Sequence, residues 1–331
     1  MKTYTLPTYV QRFFTERLDT QMHASRHTVS SYRDTFRLLL KYASKRLGRA
    51  PTDLLVAEID AELIGQFLSF IEKERGNGAR SRNVRLSAIR SFFKYVALNE
   101  PQLLHHCQQI LAMPSKRYEK RTISYLTHSE IEALIAAPDL SNWFGRRDRT
   151  LLMLAVQTGL RVSELRNLTC GDIVLDTGAH VRCFGKGRKE RSTPLRKDSV
   201  LALRAWLKER SGSESEPLFI SKHGTRLSRD AIEEIVRKHT ATATKQCMTL
   251  TTKHVTPHVL RHSAAMELLQ NGVDRTVIAL WLGHETVATT EIYIHADIQL
   301  KERAMEKTKP LAIPAGRYHP DDKLLAFLEG L

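Results

Sequence analysis

Side chains suited to acid–base and phosphate chemistry are spaced along Thr256–Asp297, TPHVLRHSAAMELLQNGVDRTVIALWLGHETVATTEIYIHAD. His258 and Arg261 stand three residues apart, His284 closes the tripeptide LGH, and Tyr293 follows nine residues later. Pro257 at a first helical position and Asn271-Gly272 at the far end bracket one helix. Residues three apart on a helix share a face, so His258 and Arg261 can approach one oxyanion together. A second short helix is expected from about Asp274 to Leu282, stopped by Gly283, with Tyr293 on a further short helix. A guanidinium, two imidazoles and a phenol directed at one point suit a phosphate, with the phenol as nucleophile. A buried polar cluster beside a core tyrosine accounts for this stretch equally well, so the stretch does not decide alone.

Upstream, a helix of about Arg146–Gln157 ends at Thr158-Gly159, and Arg161 follows in TGLRVSELRNLTCGDI at the start of another short helix. Glu164 shares its face and can orient the guanidinium; the alternative is a surface ion pair of little energetic weight. His180–Phe184 alternates as a strand with Val181 and Cys183 inward, GKGRK makes a turn, and Arg191–Leu195 returns. Lys186 stands at that tip between two glycines, where the backbone can approach a ligand closely. Alone it reads equally as a solvated turn residue. His223 and His239 receive no chemical role.

These groups need elements to position them, and the chain supplies mainly helices. Thr127-His128-Ser129-Glu130 is a capping box that opens a new domain with the helix Glu130–Ala136. Further helices are expected at about Asp198–Glu209 and Arg229–His239, with a short hairpin around LFISKHGTRLS. Residues 1 to about 112 read as helical throughout: Val29–Tyr42, Ile59–Arg75 and, after Gly76-Asn77-Gly78, ARSRNVRLSAIRSFFKYVAL. The last of these is expected to bury Val84, Leu86, Ile89, Phe92, Phe93 and Val96. Its other face holds Arg80, Arg82, Arg85, Arg90 and Lys94, with no acidic residue from Gly76 to Leu98, which points to contact with DNA phosphates. Pro114 stops a Leu103–Met113 helix, and SKRYEKRT, with Lys116 and Arg117, is a basic connector under which DNA could run. The expected fold is mainly α with a small β-hairpin sheet. It comprises a four-helix-type N-terminal domain (1–112), a linker (113–122), a mixed α+β domain (123–309) and a tail (310–331). Leu324, Leu325, Leu328 and Leu331 give that tail an apolar side, suited to docking on a neighbouring protomer or folding back on its own domain.

With 331 residues and 42% hydrophobic content, the chain can form two ordinary cores. A net charge of +15 indicates an extended polyanionic partner, with nucleic acid the first candidate and an anionic membrane surface the competitor. No apolar run of about 18 residues occurs to span a bilayer, and MKTYTLPTYVQRFF lacks the apolar core of a signal peptide. Cys107, Cys170, Cys183 and Cys247 are scattered, against a zinc site or a disulfide framework and in favour of a reducing cytoplasm. No GxxxxGK[ST] run appears, so no nucleotide-driven step is expected.

Taken in order, TGLRVSEL, GKGRKER, HVLRH, LGH and TTEIYIHAD resemble the motifs of the tyrosine recombinase (phage integrase) family, closest to its Xer-like or transposon- and plasmid-borne members. RSRNVRLSAIRSFFKYV likewise resembles that family's core-binding helical domain, so the likeness runs to about Lys309. The resemblance implies Arg161 and Arg261 on the scissile phosphate, Tyr293 as nucleophile, His258 as its proton partner, Lys186 as acid for the departing 5′-oxygen, His284 as hydrogen-bond donor and Glu164 behind them. It implies duplex DNA as partner, a tetrameric synapse on the nucleoid, no metal or other cofactor, no membrane, and a partner recombinase or DNA-bending protein where the system requires one. Two other readings share these residues: a type IB topoisomerase-like strand cutter, and a non-catalytic DNA-binding regulator on the same scaffold.

Overall fold

The computed structural model describes residues 5–118, 123–185, 190–283 and residue 290. Lys186, His284, Tyr293 and the tail from 310 onward lie outside the described residues. The chain divides into two compact units, Met1–Lys120 and Arg121–Leu331. It is mostly helical with one small antiparallel sheet.

The first unit contains α1 (Leu6–Arg12), which continues into a wider-wound π segment over Phe13–Gln21, then α2 (Arg26–Leu47), α3 (Ala61–Lys73), α4 (Ala79–Asn99) and α5 (Leu104–Ala112). Local chemistry sets the ends. Ser25 caps α2 by accepting from the Thr28 amide at 3.2 Å, and Gly48, at φ 66°, stops it. Asp60 caps α3 through the Leu63 amide at 2.7 Å, and Leu63, Ile64, Phe67, Leu68 and Ile71 all turn inward. From α4, Phe92 meets Phe36 at 5.1 Å and Phe13 at 5.5 Å between ring centroids, making the aromatic centre of this core.

Two expectations about α4 are corrected. Val84 is 49% exposed rather than buried. Residues two apart lie about 200° round a helix, so Leu86 facing the core turns Val84 outward, onto a stripe with Arg80, Ser87 and Lys94. Nor is the cationic face unbalanced in space: Glu72 of α3 receives Arg82 at 3.6 Å and Lys116 at 3.0 Å. The connector is also fastened to α4, because Asn83 donates to the Lys116 carbonyl at 2.8 Å and accepts from its amide at 2.9 Å.

The second unit runs α6 (His128–Ala136), α7 (Trp143–Thr158), α8 (Val162–Asn167), β1 (Ile173–Val174), β2 (His180–Phe184), β3 (Glu190–Pro194), α9 (Lys197–Arg210), α10 (Arg229–Ala243), α11 (Pro257–Gln270) and α12 (Arg275–Leu282). The expected capping box at Thr127 and Glu130 is present. The sheet order is β1-β2-β3, with Cys183 opposite Arg191 and Val181 opposite Thr193. Strand β1 is an addition to the expected hairpin; two residues are too few to show alternation. Around LFISKHGTRLS the expected hairpin reduces to a single bridge, Ile220 with Arg226, because the tight Ser221–Thr225 turn leaves no strand length.

Helix α7 is the centre of this unit, packed by α6, α9 and α11 and burying Leu151, Leu152, Leu154 and Val156. A buried polar group ties it to its surroundings. Asp148 accepts from Arg147 at 2.7 Å and binds His239 of α10 at 2.8 Å, while Arg147 donates to the Ile220 carbonyl at 2.7 Å. His239 thus joins α10 to α7. Among the described residues, no helix is long and apolar enough to cross a membrane.

Phe92→Ala should remove the aromatic centre of the first unit and destabilise it by about 3–5 kcal/mol. A lowered denaturant midpoint by circular dichroism, with the native helical content retained in buffer, is the expected result.

Candidate active site

The site is assembled where two helices end. Helix α7 stops at Gly159 (φ 62°) and α12 at Gly283 (φ 65°), both in the left-handed region that a Cβ disfavours. Space adds a second reason for glycine at Gly159, where a Cβ would come within 2.5 Å of Leu282 Cδ2. The last carbonyls of a helix lack partners inside it and carry the negative end of its dipole, so cations are favoured there. Two arginines occupy that position. Arg261, 4% exposed on α11, donates through Nη1 to the Gly159 carbonyl at 2.6 Å and through Nη2 to the Leu282 carbonyl at 2.7 Å. Arg161, from the turn before α8, donates through Nη2 to the Gly283 carbonyl at 3.1 Å.

Glu164 holds this arrangement from the opposite side. Its Oε2 accepts from the Arg161 amide at 2.7 Å, capping α8, and its Oε1 accepts from Arg161 Nη1 at 2.9 Å. From β3, Arg191 adds a fork: Nη1 to Oε1 at 3.0 Å and Nη2 to Oε2 at 2.8 Å. Each carboxylate oxygen has two acceptor positions, so all four are filled. Burial pushes the Glu164 pKa up, but Arg191 and then Arg161 outweigh it and hold the carboxyl below its usual range. The Arg161–Glu164 pair expected from spacing is therefore present, but buried at the carboxylate and shared with a third residue rather than a solvated surface pair.

His258 is the second residue of α11, after Pro257 and the capping residue Thr256. Its ring lies 6.3 Å from that of His262, tilted by 30°. Packing of the surrounding atoms lowers its pKa, and the positive charges of Arg261, Arg229 and Arg161 lower it further. The imidazole is consequently neutral at pH 7 and able to accept a proton. His262, more enclosed, is lowered to about 4, first by burial and then by His258 and Arg261.

Arg161, Glu164, His258 and Arg261 thus converge within the second unit. Arg80, Arg82, Arg85, Arg90, Lys94, Lys116 and Arg117 belong to the first: Arg80, Lys94, Lys116 and Arg117 are exposed, and the other three are half-buried. The sequence reading passed over Arg191 as a site residue, although a signal was present. Residues paired across a hairpin share a face, so an inward Cys183 also turns its partner Arg191 inward.

A model of the phage integrase family matches residues 124–299, and a model of the phage integrase N-terminal SAM-like domain matches residues 11–100. A putative integrase/recombinase, y4rC, of Sinorhizobium fredii is 50% identical over 330 residues, covering 100% of this chain and 99% of that protein. Tyrosine recombinase XerC of Pelobacter propionicus is 30% identical over 302 residues, covering 91% and 95%. Among solved structures, the XerH site-specific recombinase bound to its difH substrate before cleavage is similar at 25% identity and a TM-score of 0.64, covering 86% of this chain and 81% of that one. The Tn1549 transposon integrase in complex with transposon right end DNA shares the fold at 16% identity and a TM-score of 0.69, covering 90% and 98%.

Because the folded state keeps His262 neutral, acid favours unfolding. Below about pH 6.5 the unfolded chain takes up a proton there that the folded protein refuses until about pH 4, so stability drains away across that window. His262→Gln should flatten this part of the stability profile, recovering on the order of 2 kcal/mol near pH 4 after allowance for partial exposure. Thermal melts from pH 7 to 4 test this; parallel curves for both proteins would contradict it.

Proposed function

The chain belongs to the phage integrase family of tyrosine recombinases, and from that premise we propose that its second unit cuts and rejoins duplex DNA through a tyrosyl intermediate at the arginine pair. It is a DNA strand-transferring enzyme of site-specific recombination. The observation that carries the assignment of residues is the docking of Arg161 and Arg261 on the consecutive carbonyls of Gly283 and Leu282, immediately before His284 in the chain. Held from behind by helix-end carbonyls and by Glu164, the two guanidiniums are set in place before a phosphate arrives, so little reorganisation is needed as negative charge builds.

In the proposed reaction the Tyr293 hydroxyl oxygen attacks the scissile phosphorus while the bond from phosphorus to the 5′-oxygen breaks. The phenolic proton passes to neutral His258, and Lys186 gives a proton to the departing 5′-oxygen. The product is a 3′-phosphotyrosyl diester and a free 5′-hydroxyl, and attack by a 5′-hydroxyl in the reverse sense reseals the strand. His284 donates to the phosphate. Arg161, Arg261 and Lys186 supply the positive charge at the phosphate.

We assign DNA binding in the first unit to the exposed stripe of α4 and to the connector. Arg80 and Lys94 flank the small side chains of Val84 and Ser87, and Arg117 follows Lys116. The Glu72 contacts of Arg82 and Lys116 reduce the charge those two can offer to phosphate. In this reading four protomers act on two sites.

A nicked suicide duplex carrying the protein's own site should give a denaturant-resistant protein–DNA adduct with wild type and none with Tyr293→Phe. Arg161→Ala or Arg261→Ala should slow adduct formation by about 10²–10³-fold. Tight site binding without any Tyr293-dependent adduct would favour a non-catalytic regulator instead. Separately, Arg80→Ala and Lys94→Ala should each reduce the salt slope of binding by about 1, whereas Arg82→Ala should change it less; fluorescence anisotropy across a salt series measures this.

A further inference from the structure

We infer that Arg191, on strand β3, is a positioning residue for the strand-transfer reaction: it acts through Glu164 to fix the guanidinium of Arg161 and thereby links the β2–β3 hairpin to the arginine pair. The inference rests on the reading of Arg161 as a phosphate-binding group.

Three observations support it. First, Arg191 and Arg161 share one carboxylate in a closed set of four hydrogen bonds of 2.7–3.0 Å, so neither guanidinium can rotate without unpairing a buried oxygen. Second, the arrangement is poorly suited to stability alone. Arg191 has an 11% exposed side chain, its partner a 4% exposed one, and its Nε–H is buried with no acceptor among the described residues. Buried ion pairs commonly do no better than apolar replacements of similar size, and an orphaned donor makes this one worse. Third, Arg191 reaches the same helix end as the other two arginines. A Cβ on Gly283 would lie 2.6 Å from Arg191 Nη1, so the bare glycine backbone lets that guanidinium lie against the carbonyl-bearing turn that Arg161 binds.

Position in the chain gives the contact its reach. Arg191 opposes Cys183 in the ladder, one pair in from Phe184 and Glu190, the last described pair, and Lys186 follows Phe184-Gly185 in the chain. A hairpin anchored at this pair by a two-pronged bond to Glu164 has that end of its ladder fixed relative to Arg161. A lysine in its place offers a single ammonium and cannot bridge both oxygens.

Arg191→Met is the main variant, because it keeps the length and apolar bulk of the side chain, with Arg191→Lys and Glu164→Gln beside it. Single-turnover cleavage of the suicide duplex should fall roughly 10- to 100-fold in Arg191→Met with duplex affinity unchanged. The acid limb of the variant's rate profile should also move to higher pH than that of wild type, because burial raises the Glu164 pKa once its stronger cation is gone. Arg191→Lys should recover only part of the rate, and the losses in Arg191→Met and Glu164→Gln should not multiply in the double variant. A wild-type rate and pH profile in Arg191→Met, with only its melting temperature lowered, would overturn the inference. If wild type itself formed no adduct, the reading of the site would fail separately. In that case the phenylglyoxal reactivity of Arg161, mapped by mass spectrometry, still decides: it should rise several-fold in Arg191→Met if Arg191 holds it through Glu164, and stay unchanged if it does not.

Discussion

The carboxylate of Glu164 is the constraint on which the site depends. It is buried, and burial of a lone carboxylate costs several kcal/mol unless its oxygens are filled and its charge is met. Here one backbone amide and two guanidiniums do both. The consequence is geometric more than energetic. Once four acceptor positions are taken by groups from the Arg161 turn and from β3, those two segments have one mutual arrangement. A chain that lost the carboxylate would leave two buried or half-buried cations repelling one another, Arg161 with only the Gly283 carbonyl to direct it and Arg191 without its fork.

The second support is the pair of helix ends. Gly159 and Gly283 each terminate a helix in a left-handed turn, and their neighbouring carbonyls point at Arg261 and Arg161 instead of at water. Arginine suits this place because its planar fork can bond backward to carbonyls and keep other N–H groups for a ligand. The cations also act on their neighbours. They and the partial burial of its ring hold the His258 pKa below its usual value, so fixed positive charge and an imidazole of lowered basicity lie in one cluster. Rigid elements carry both, since α7, α11 and α12 pack into the interior of the second unit.

In the first unit the same logic runs in reverse. Its core is closed by aromatic packing among Phe13, Phe36 and Phe92, and the charges lie on its surface. Glu72 is an informative exception, because it draws Arg82 and Lys116 into intramolecular contacts and helps fasten the connector to α4. A net charge of +15 therefore overstates the number of cations free to meet phosphate. The exposed stripe through Arg80, Val84, Ser87 and Lys94 describes the accessible surface of that helix better than the count of its arginines.

Much of this was legible in the chain. Helical periodicity located α3 and α4, the capping residue Thr127 marked the start of α6, glycines marked the ends of α7 and α12, and the spacing of His258 and Arg261 put both on α11. These features are local: each depends on residues within a turn or two, and short-range sterics and hydrogen bonding determine them. The tertiary structure alone decided which distant groups meet. That Glu164 is shared, that Arg191 is the sharer and that Glu72 quenches part of the basic face all follow from packing between segments apart in sequence. A charge count or a helical pattern treats each residue with its near neighbours. The partner that fills a carboxylate's last acceptor position is set by the fold, because only there do separate strands and helix ends share a volume small enough to force the choice.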